Sequence, residues 1–340
     1  MTGPQYMDQM STEPKFQRYW NYEQRTDYPH LTSPWSGGGI RGANPIQLPG
    51  IRHKIGRPYI TPAQALKSAG VRPSKSRGQN FLVQPGVATQ IVNAAEIEAG
   101  DSVIEIGPGL GILTERIIGA DPRRLTLVEL DGRLAVMLAA RFGGDARVKL
   151  LNRDFLMLPR PEFDSGSLKV IGNLPFSVAA AILRRLSDYR ESIVRMVLMF
   201  QREVGERIRA LPGSRNYGSL SVFSSLYWQI IGHFRVAAGS FHPRPKVDAE
   251  VLIMEPSREC DFNPAEEPDV RATVRAAFSA PRKTVRNSLA GGLGVDTNEI
   301  EAALELANID PSLRPAMLDR SQLIALARIL RPATSPAYRA

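Results

Sequence analysis

The stretch SVIEIGPGLGILTERIIG, residues 102–119, decides the fold. Its first five residues form a short apolar run, the signature of a strand buried on both faces. Three glycines follow within five residues (Gly107, Gly109, Gly111), and then an amphipathic stretch that reads as a helix. Glycine at a strand-to-helix turn lets the backbone bend sharply and approach a ligand closely. The spacing is G-x-G-x-G, whereas a dinucleotide fingerprint requires G-x-G-x-x-G, so a pyrophosphate site is disfavoured against a smaller ligand. A nicotinamide dehydrogenase is disfavoured too, because no His or Tyr constellation suits hydride transfer.

Outward from this turn the same alternation repeats. A helix is expected from Pro85 to Ala95, with proline early and Val87, Ile91 and Val92 on one face. LTLVEL (125–130), VKLLN (148–152), LKVIGN (168–173) and VRMVLMF (194–200) read as further strands, with a helix from Leu134 to Arg141. Strands alternating with helices imply a parallel, doubly wound α/β sheet. FRVAAGSF and AEVLIMEP, near 234–256, read as two late strands joined through HPRPKVD, a hairpin typical of Rossmann-like methyltransferases. DVRATVRAAFSA, TVRNSLAGGL, TNEIEAALELA and SQLIALARILR then read as helices. The expected domains are an irregular basic extension at 1–72, a Rossmann-like domain at 73–256, a small helical domain at 257–332 and a tail at 333–340.

Composition narrows the chemistry. Hydrophobic content is 43% of 340 residues, enough for a normal core, and no apolar run approaches a membrane span. The single cysteine, Cys260, excludes an internal disulfide and suits a reducing compartment. His30, His53, His233 and His242 show no metal-ligand spacing, so no metal is expected. Of the formal charge of +9, most sits at the N-terminus: residues 1–83 hold 11 Lys and Arg against 4 Asp and Glu. A basic arm favours a polyanionic partner, nucleic acid first.

Two carboxylates extend the glycine site. Glu129 ends the second strand about 20 residues beyond the turn, where an acid can accept from both ribose hydroxyls. Asp154, just after the third strand, is placed to accept from an adenine amino group or to cap a helix.

The fourth strand runs into Asn173-Leu174-Pro175-Phe176, the most specific signal in the chain. An adenine amino nitrogen is a poor nucleophile because its lone pair is delocalised into the ring. Accepting hydrogen bonds from its protons localises that pair. The Asn173 carboxamide oxygen and the Leu174 carbonyl are suited to this. Pro175 fixes the turn and withholds a competing N–H. Phe176 offers a face for a flipped base.

With those residues in place, the chain from Gly78 to Leu330 resembles the ribosomal RNA adenine N6,N6-dimethyltransferase family. GQNFL (78–82), EIGPGLG (105–111), VELD (128–131), GNLPF (172–176), FQREVGERI (200–208), YGSLSV (217–222), FHPRPKVD (241–248) and RKTVRNSL (282–289) occur in the family's order. The resemblance implies a class I S-adenosylmethionine-dependent methyltransferase. Its implied cofactor contacts are Asn80, Leu82, Gly107, Gly109, Glu129, Asp154 and Asn173. It also implies two methyl transfers to each of two adjacent adenines in a small-subunit rRNA hairpin loop. Phe176 stands where bacterial members usually have Tyr, and Ser177-Val178 where Asn-Ile is common. NLPFSV and IDPSLRP (309–315) look more like the mitochondrial branch, the dimethyltransferase also called mitochondrial transcription factor B. The favoured compartment is therefore the mitochondrial matrix, with a bacterial cytoplasm as the alternative.

RNA contacts are expected from Arg202 and Arg207 after the fifth strand, from Arg244 and Lys246 in the hairpin joint, and from Arg282, Lys283 and Arg286. The last three, with Arg271 and Arg275, lie in a window free of acids and suit a phosphate-binding strip. The expected partner is small-subunit rRNA, with no membrane and a monomeric enzyme. Removing residues 1–72 is expected to weaken ribosome binding more than cofactor binding. Two rivals stay open: a large-subunit rRNA adenine methyltransferase of the macrolide-resistance type, and a non-catalytic assembly or transcription factor on the same fold.

Overall fold

The computed structural model describes residues 64, 66, 70, 79–159, 167–175, 178–257 and 262–332, all within one compact unit, Lys54–Ala340. Phe176, Ser177, Cys260, residues 1–63 and the tail at 333–340 lie outside the described residues.

The α/β expectation holds. Strands β2 (Ser102–Ile106), β3 (Arg124–Val128), β4 (Val148–Leu151), β5 (Leu168–Asn173) and β6 (Ile193–Gln201) pair in parallel in the order β4-β3-β2-β5-β6. Helices α1 (Pro85–Ala94), α2 (Ile112–Gly119), α3 (Gly132–Phe142) and α4 (Ala179–Ser187) connect or flank them. Every residue of β2 is buried, as its unbroken apolar run requires. One cluster joins Ile91 and Val92 of α1, Leu113 and Ile117 of α2, and Leu125, Ile171 and Val197 of the strands.

The sheet ends in an antiparallel pair, β9 (Ala249–Pro256) beside β6 and β7 (Trp228–Val236) at the edge. Here FRVAAGSF departs from the single strand expected. Phe234–Val236 closes β7, Ala238–Ser240 forms a 3-10 turn, and β8 (Phe241–His242) leaves the main sheet. It pairs antiparallel with β1 (Phe81–Leu82), and Val83 N donates to Ser240 O at 2.9 Å. The GQNFL and FHPRPKVD stretches are thus strand partners.

Helices α5 (Arg202–Ile208) and α6 (Ser219–Tyr227) follow β6. The four C-terminal helices are α7 (Glu267–Ala277), α8 (Val285–Leu293), α9 (Thr297–Leu306) and α10 (Arg320–Leu330). One main-chain bond, Gly213 N to Ala316 O at 2.7 Å, ties this region to the loop after α5, and another, Val285 N to Leu313 O at 2.7 Å, joins the start of α8 to the segment before α10. Tyr217 Oη donates to Leu318 O at 2.9 Å. Among the described residues, no helix is long and apolar enough to cross a membrane.

Part of the extension departs from the irregular backbone expected up to residue 72. Gln64 and Leu66 have helical backbone, and Leu66 is buried against Phe81 and Leu134.

Candidate active site

An open cavity lies at the carboxyl ends of β2 and β5, the position at which open α/β sheets bind ligands. Gln79–Leu82, Gly107–Leu110, Glu129 and Asn173–Pro175 all face it. Of the expected cofactor contacts, Asn80, Leu82, Gly107, Gly109, Glu129 and Asn173 therefore converge.

The glycine turn needs its glycines. Gly107, Gly109 and Gly111 have φ of 67°, 58° and 78°, in the left-handed region. A Cβ on Gly109 would stand 2.9 Å from the Phe81 ring, and one on Gly111 2.6 Å from Phe142. Behind the turn, Arg141 Nη1 donates to Leu110 O at 2.9 Å and Nη2 to Glu115 Oε2 at 2.9 Å. That brace was not legible in the sequence.

Glu129 lies just past β3 and is 6% exposed. Its Oε2 accepts from Gly109 N at 3.1 Å and its Oε1 from Asp131 N at 2.9 Å. Burial pushes its carboxyl above the ordinary range, against the pull of these backbone donors. Asp131 caps α3, accepting from Arg133 N at 3.0 Å. Glu105, in the middle of the turn's leading strand, is fully buried. Thr114 Oγ1 donates to its Oε2 at 2.6 Å, while Oε1 has no hydrogen-bond partner among the described residues. Burial pushes its carboxyl up to about 8.

Asp154 behaves as a cap. It accepts from Leu156 N at 2.9 Å at the 3-10 turn Phe155–Met157, and it is not among the residues lining the cavity.

Asn173 closes β5, in register with Met199 of β6. Its Nδ2 donates to the Asn80 carbonyl at 3.0 Å. With the amide's donor end held there, Oδ1 is the end left to accept. Leu174 N donates to Met199 O at 3.2 Å and its side chain is buried, which fixes the peptide carrying its carbonyl. Phe176, the expected stacking face, lies outside the described residues.

The expected RNA contacts divide by environment. Arg202 opens α5, and Arg244 and Lys246 lie exposed just before β9. Gln201 pairs with Ala249, which brings these segments to the same end of the sheet as the cavity. Arg202 also approaches Glu206 at 3.6 Å, and Arg207 is half-buried. Arg282 and Lys283 are exposed before α8, whereas Arg286 pairs with Glu301 at 2.9 Å. Arg271 does not belong to a phosphate strip. It is 8% exposed, its Nε donates to Glu267 at 2.8 Å, and its guanidinium stacks on Phe223 and Tyr227. A buried guanidinium held by a carboxylate and two rings is structural.

The sequence profile of the ribosomal RNA adenine dimethylase family matches residues 71–318. Ribosomal RNA small subunit methyltransferase A of Syntrophotalea carbinolica is 40% identical over 266 residues, covering 77% of this chain and 98% of that protein. The protein of the same name from Geobacter sulfurreducens is 37% identical over 268 residues, 77% of this chain and 97% of that one. Among solved structures, a dimethyladenosine transferase from Plasmodium falciparum superposes with a TM-score of 0.64 at 23% identity, covering 74% of this chain and 97% of that one. The 23S rRNA methyltransferase ErmE gives 0.55 at 24% identity, covering 74% and 100%. These two likenesses show the Rossmann-like class I methyltransferase fold. Both curated relatives are bacterial and lend the mitochondrial reading no support.

Proposed function

Because the chain belongs to the ribosomal RNA adenine dimethylase family, we propose that it transfers methyl groups from S-adenosylmethionine to N6 of two adjacent adenines in a small-subunit rRNA hairpin loop. The product is N6,N6-dimethyladenosine, made during ribosome biogenesis. The observation that carries this reading is Asn173, held by its amide nitrogen on Asn80 in the wall of the glycine-lined cavity.

The cavity suits the cofactor. The left-handed turn at Gly107 leaves the cavity side free of a side chain, while Phe81 and Phe142 fill the space behind Gly109 and Gly111, and a buried carboxylate waits at the neighbouring strand end. That donor set fits a nucleoside with a small polar tail better than a pyrophosphate. Glu129 would hold the ribose hydroxyls, and Asn80, Leu82, Gly107 and Gly109 the rest. Asp154, which caps the 3-10 turn and does not line the cavity, would have to leave that cap to reach the adenine amino group. S-adenosylmethionine, when bound, supplies an electrophilic methyl group.

The chain's own part is positioning. Asn173 Oδ1 accepts a hydrogen bond from one N–H of the target amino group and the Leu174 carbonyl from the other, which localises the nitrogen lone pair. Pro175 places no N–H in competition, and Phe176 stacks on the base. Holding nitrogen and methyl carbon in line makes the step effectively unimolecular. Arg244, Lys246, Arg282, Lys283 and Arg207 contact phosphates, as do Arg202 and Arg286, whose side chains also face Glu206 and Glu301.

The division of labour we propose keeps methyl transfer at 73–256, rRNA holding at 257–332 and a basic accessory arm at 1–72. The compartment is a bacterial cytoplasm, supported by the sources of the relatives. Offering separated small and large subunits that lack the modification, with labelled S-adenosylmethionine, tests the substrate. Label in the small subunit alone is expected. Label in the large subunit would favour the macrolide-resistance type instead.

A further inference from the structure

Leu66 lies before the matched stretch 71–318, yet it is only 4% exposed. It forms a small apolar cluster with Phe81 and Leu134, with Leu110 and Met137 packed against it. Phe81, Leu110 and Leu134 are also walls of the cavity. The Phe81 ring in turn lies against Gly109, close enough to leave no room for a Cβ. The same segment is tied by its main chain: Arg133 Nη1, at the start of α3, donates to Gly70 O at 3.1 Å. Leu66 and Gly70 are therefore each held against the methyltransferase fold. Leu66 makes an apolar contact behind the glycine turn, and Gly70 meets the first turn of the helix that follows Glu129.

We propose that Leu66 is a positioning residue for the cofactor. It is the outer layer of the S-adenosylmethionine pocket, pressing Phe81 onto the glycine turn and keeping water from the cavity's apolar wall. The inference rests on the reading of this cavity as the cofactor site. Among the described residues, the cluster around Leu66 includes neither Asn173 nor Leu174 nor Pro175, so its loss weakens cofactor capture and leaves the transfer geometry at saturation intact.

The test uses the full-length chain, labelled S-adenosylmethionine and small subunits lacking the modification. Leu66→Ala raises the KM and Kd for S-adenosylmethionine about tenfold with kcat nearly unchanged. Leu66→Val gives a smaller rise, and Leu66→Met, which keeps the apolar volume, restores the wild-type value. The Val variant carries the test if the Ala variant fails to fold. Leu326→Ala, a fully buried position in α10, lowers Tm without moving the KM for the cofactor. A wild-type cofactor KM in Leu66→Ala, or an equal rise in Leu326→Ala, overturns the proposal. Glu129→Ala separates the two layers of the inference. If it leaves S-adenosylmethionine affinity unchanged, the cavity is not the cofactor site and the role of Leu66 falls with it. If it abolishes binding while the Leu66 variants do not weaken it, only the role of Leu66 is overturned.

Discussion

The side-chain amide of Asn173 donates to the main-chain carbonyl of Asn80, 3.0 Å away in space and 93 residues away in sequence. The bond orients a carboxamide that would otherwise have two nearly equivalent settings. It makes the oxygen, rather than the nitrogen, the end available to a substrate amino group. It also couples the N-terminal QNFL strand to the end of β5, so the first wall of the cavity and the acceptor are built together.

Asn173→Ala removes the acceptor and should lower kcat by 10²–10³-fold or more, the scale for losing one preorganised transition-state partner. Binding of small subunits, followed by filter retention, should be unchanged. Asn173→Asp should fare no better. A carboxylate keeps an acceptor but has no N–H for Asn80, and its oxygen would face that carbonyl.

Glu129→Ala should raise the Kd for S-adenosylmethionine at least tenfold by calorimetry, since hydrogen bonds to a charged group contribute about 1.5–3 kcal/mol. Gly109→Val should do the same by another route. It places a β-branched residue at φ 58° and drives a Cβ into the Phe81 ring.

Glu105 links stability to pH. Its carboxyl is near 4.5 in the unfolded chain and about 8 in the fold, so the folded protein binds the proton more tightly. Its contribution is fully present below 4.5 and is lost as pH rises through 8, at no more than about 1.4 kcal/mol per pH unit. Urea melts between pH 5 and 9 should show falling stability for the wild type. Glu105→Gln, neutral throughout, should flatten that slope.

Much of the fold was legible because it is written locally. SVIEI is an unbroken apolar run, and the glycines follow it directly. The cavity residues from Gly107 to Glu129 sit where the turn and strand end put them. The first half of β7 escaped notice because Trp228–Gly232 is an edge strand with alternating exposure and a register shift. Arg271 looked like a phosphate contact because no acid lies between it and Arg286. Its partners are Glu267 one turn earlier and two rings on α6, which spacing alone does not bring together. The Asn80–Asn173 bond and the Leu66 contact are tertiary, and no local pattern encodes them.

Two sets of basic residues should therefore separate by assay. Among the described residues, Arg271→Ala leaves Glu267 with only one cation, Arg190, 3.9 Å away, and strips the cation from the Phe223 and Tyr227 rings, so it should lower Tm. The salt dependence of RNA binding should stay unchanged. Lys246→Ala with Lys283→Ala should do the reverse, leaving the melt alone and lowering the slope of log K against log salt by roughly 2.

The central claim is that this cavity dimethylates adenine N6 through Asn173. The direct measurement is nucleoside analysis of rRNA from modification-free small subunits incubated with S-adenosylmethionine and either wild-type protein or Asn173→Ala. The account predicts N6,N6-dimethyladenosine at two adjacent loop adenines with the wild type and none with the variant. Equal dimethylation by both, or none by a wild-type protein that binds cofactor and subunit normally, would contradict it.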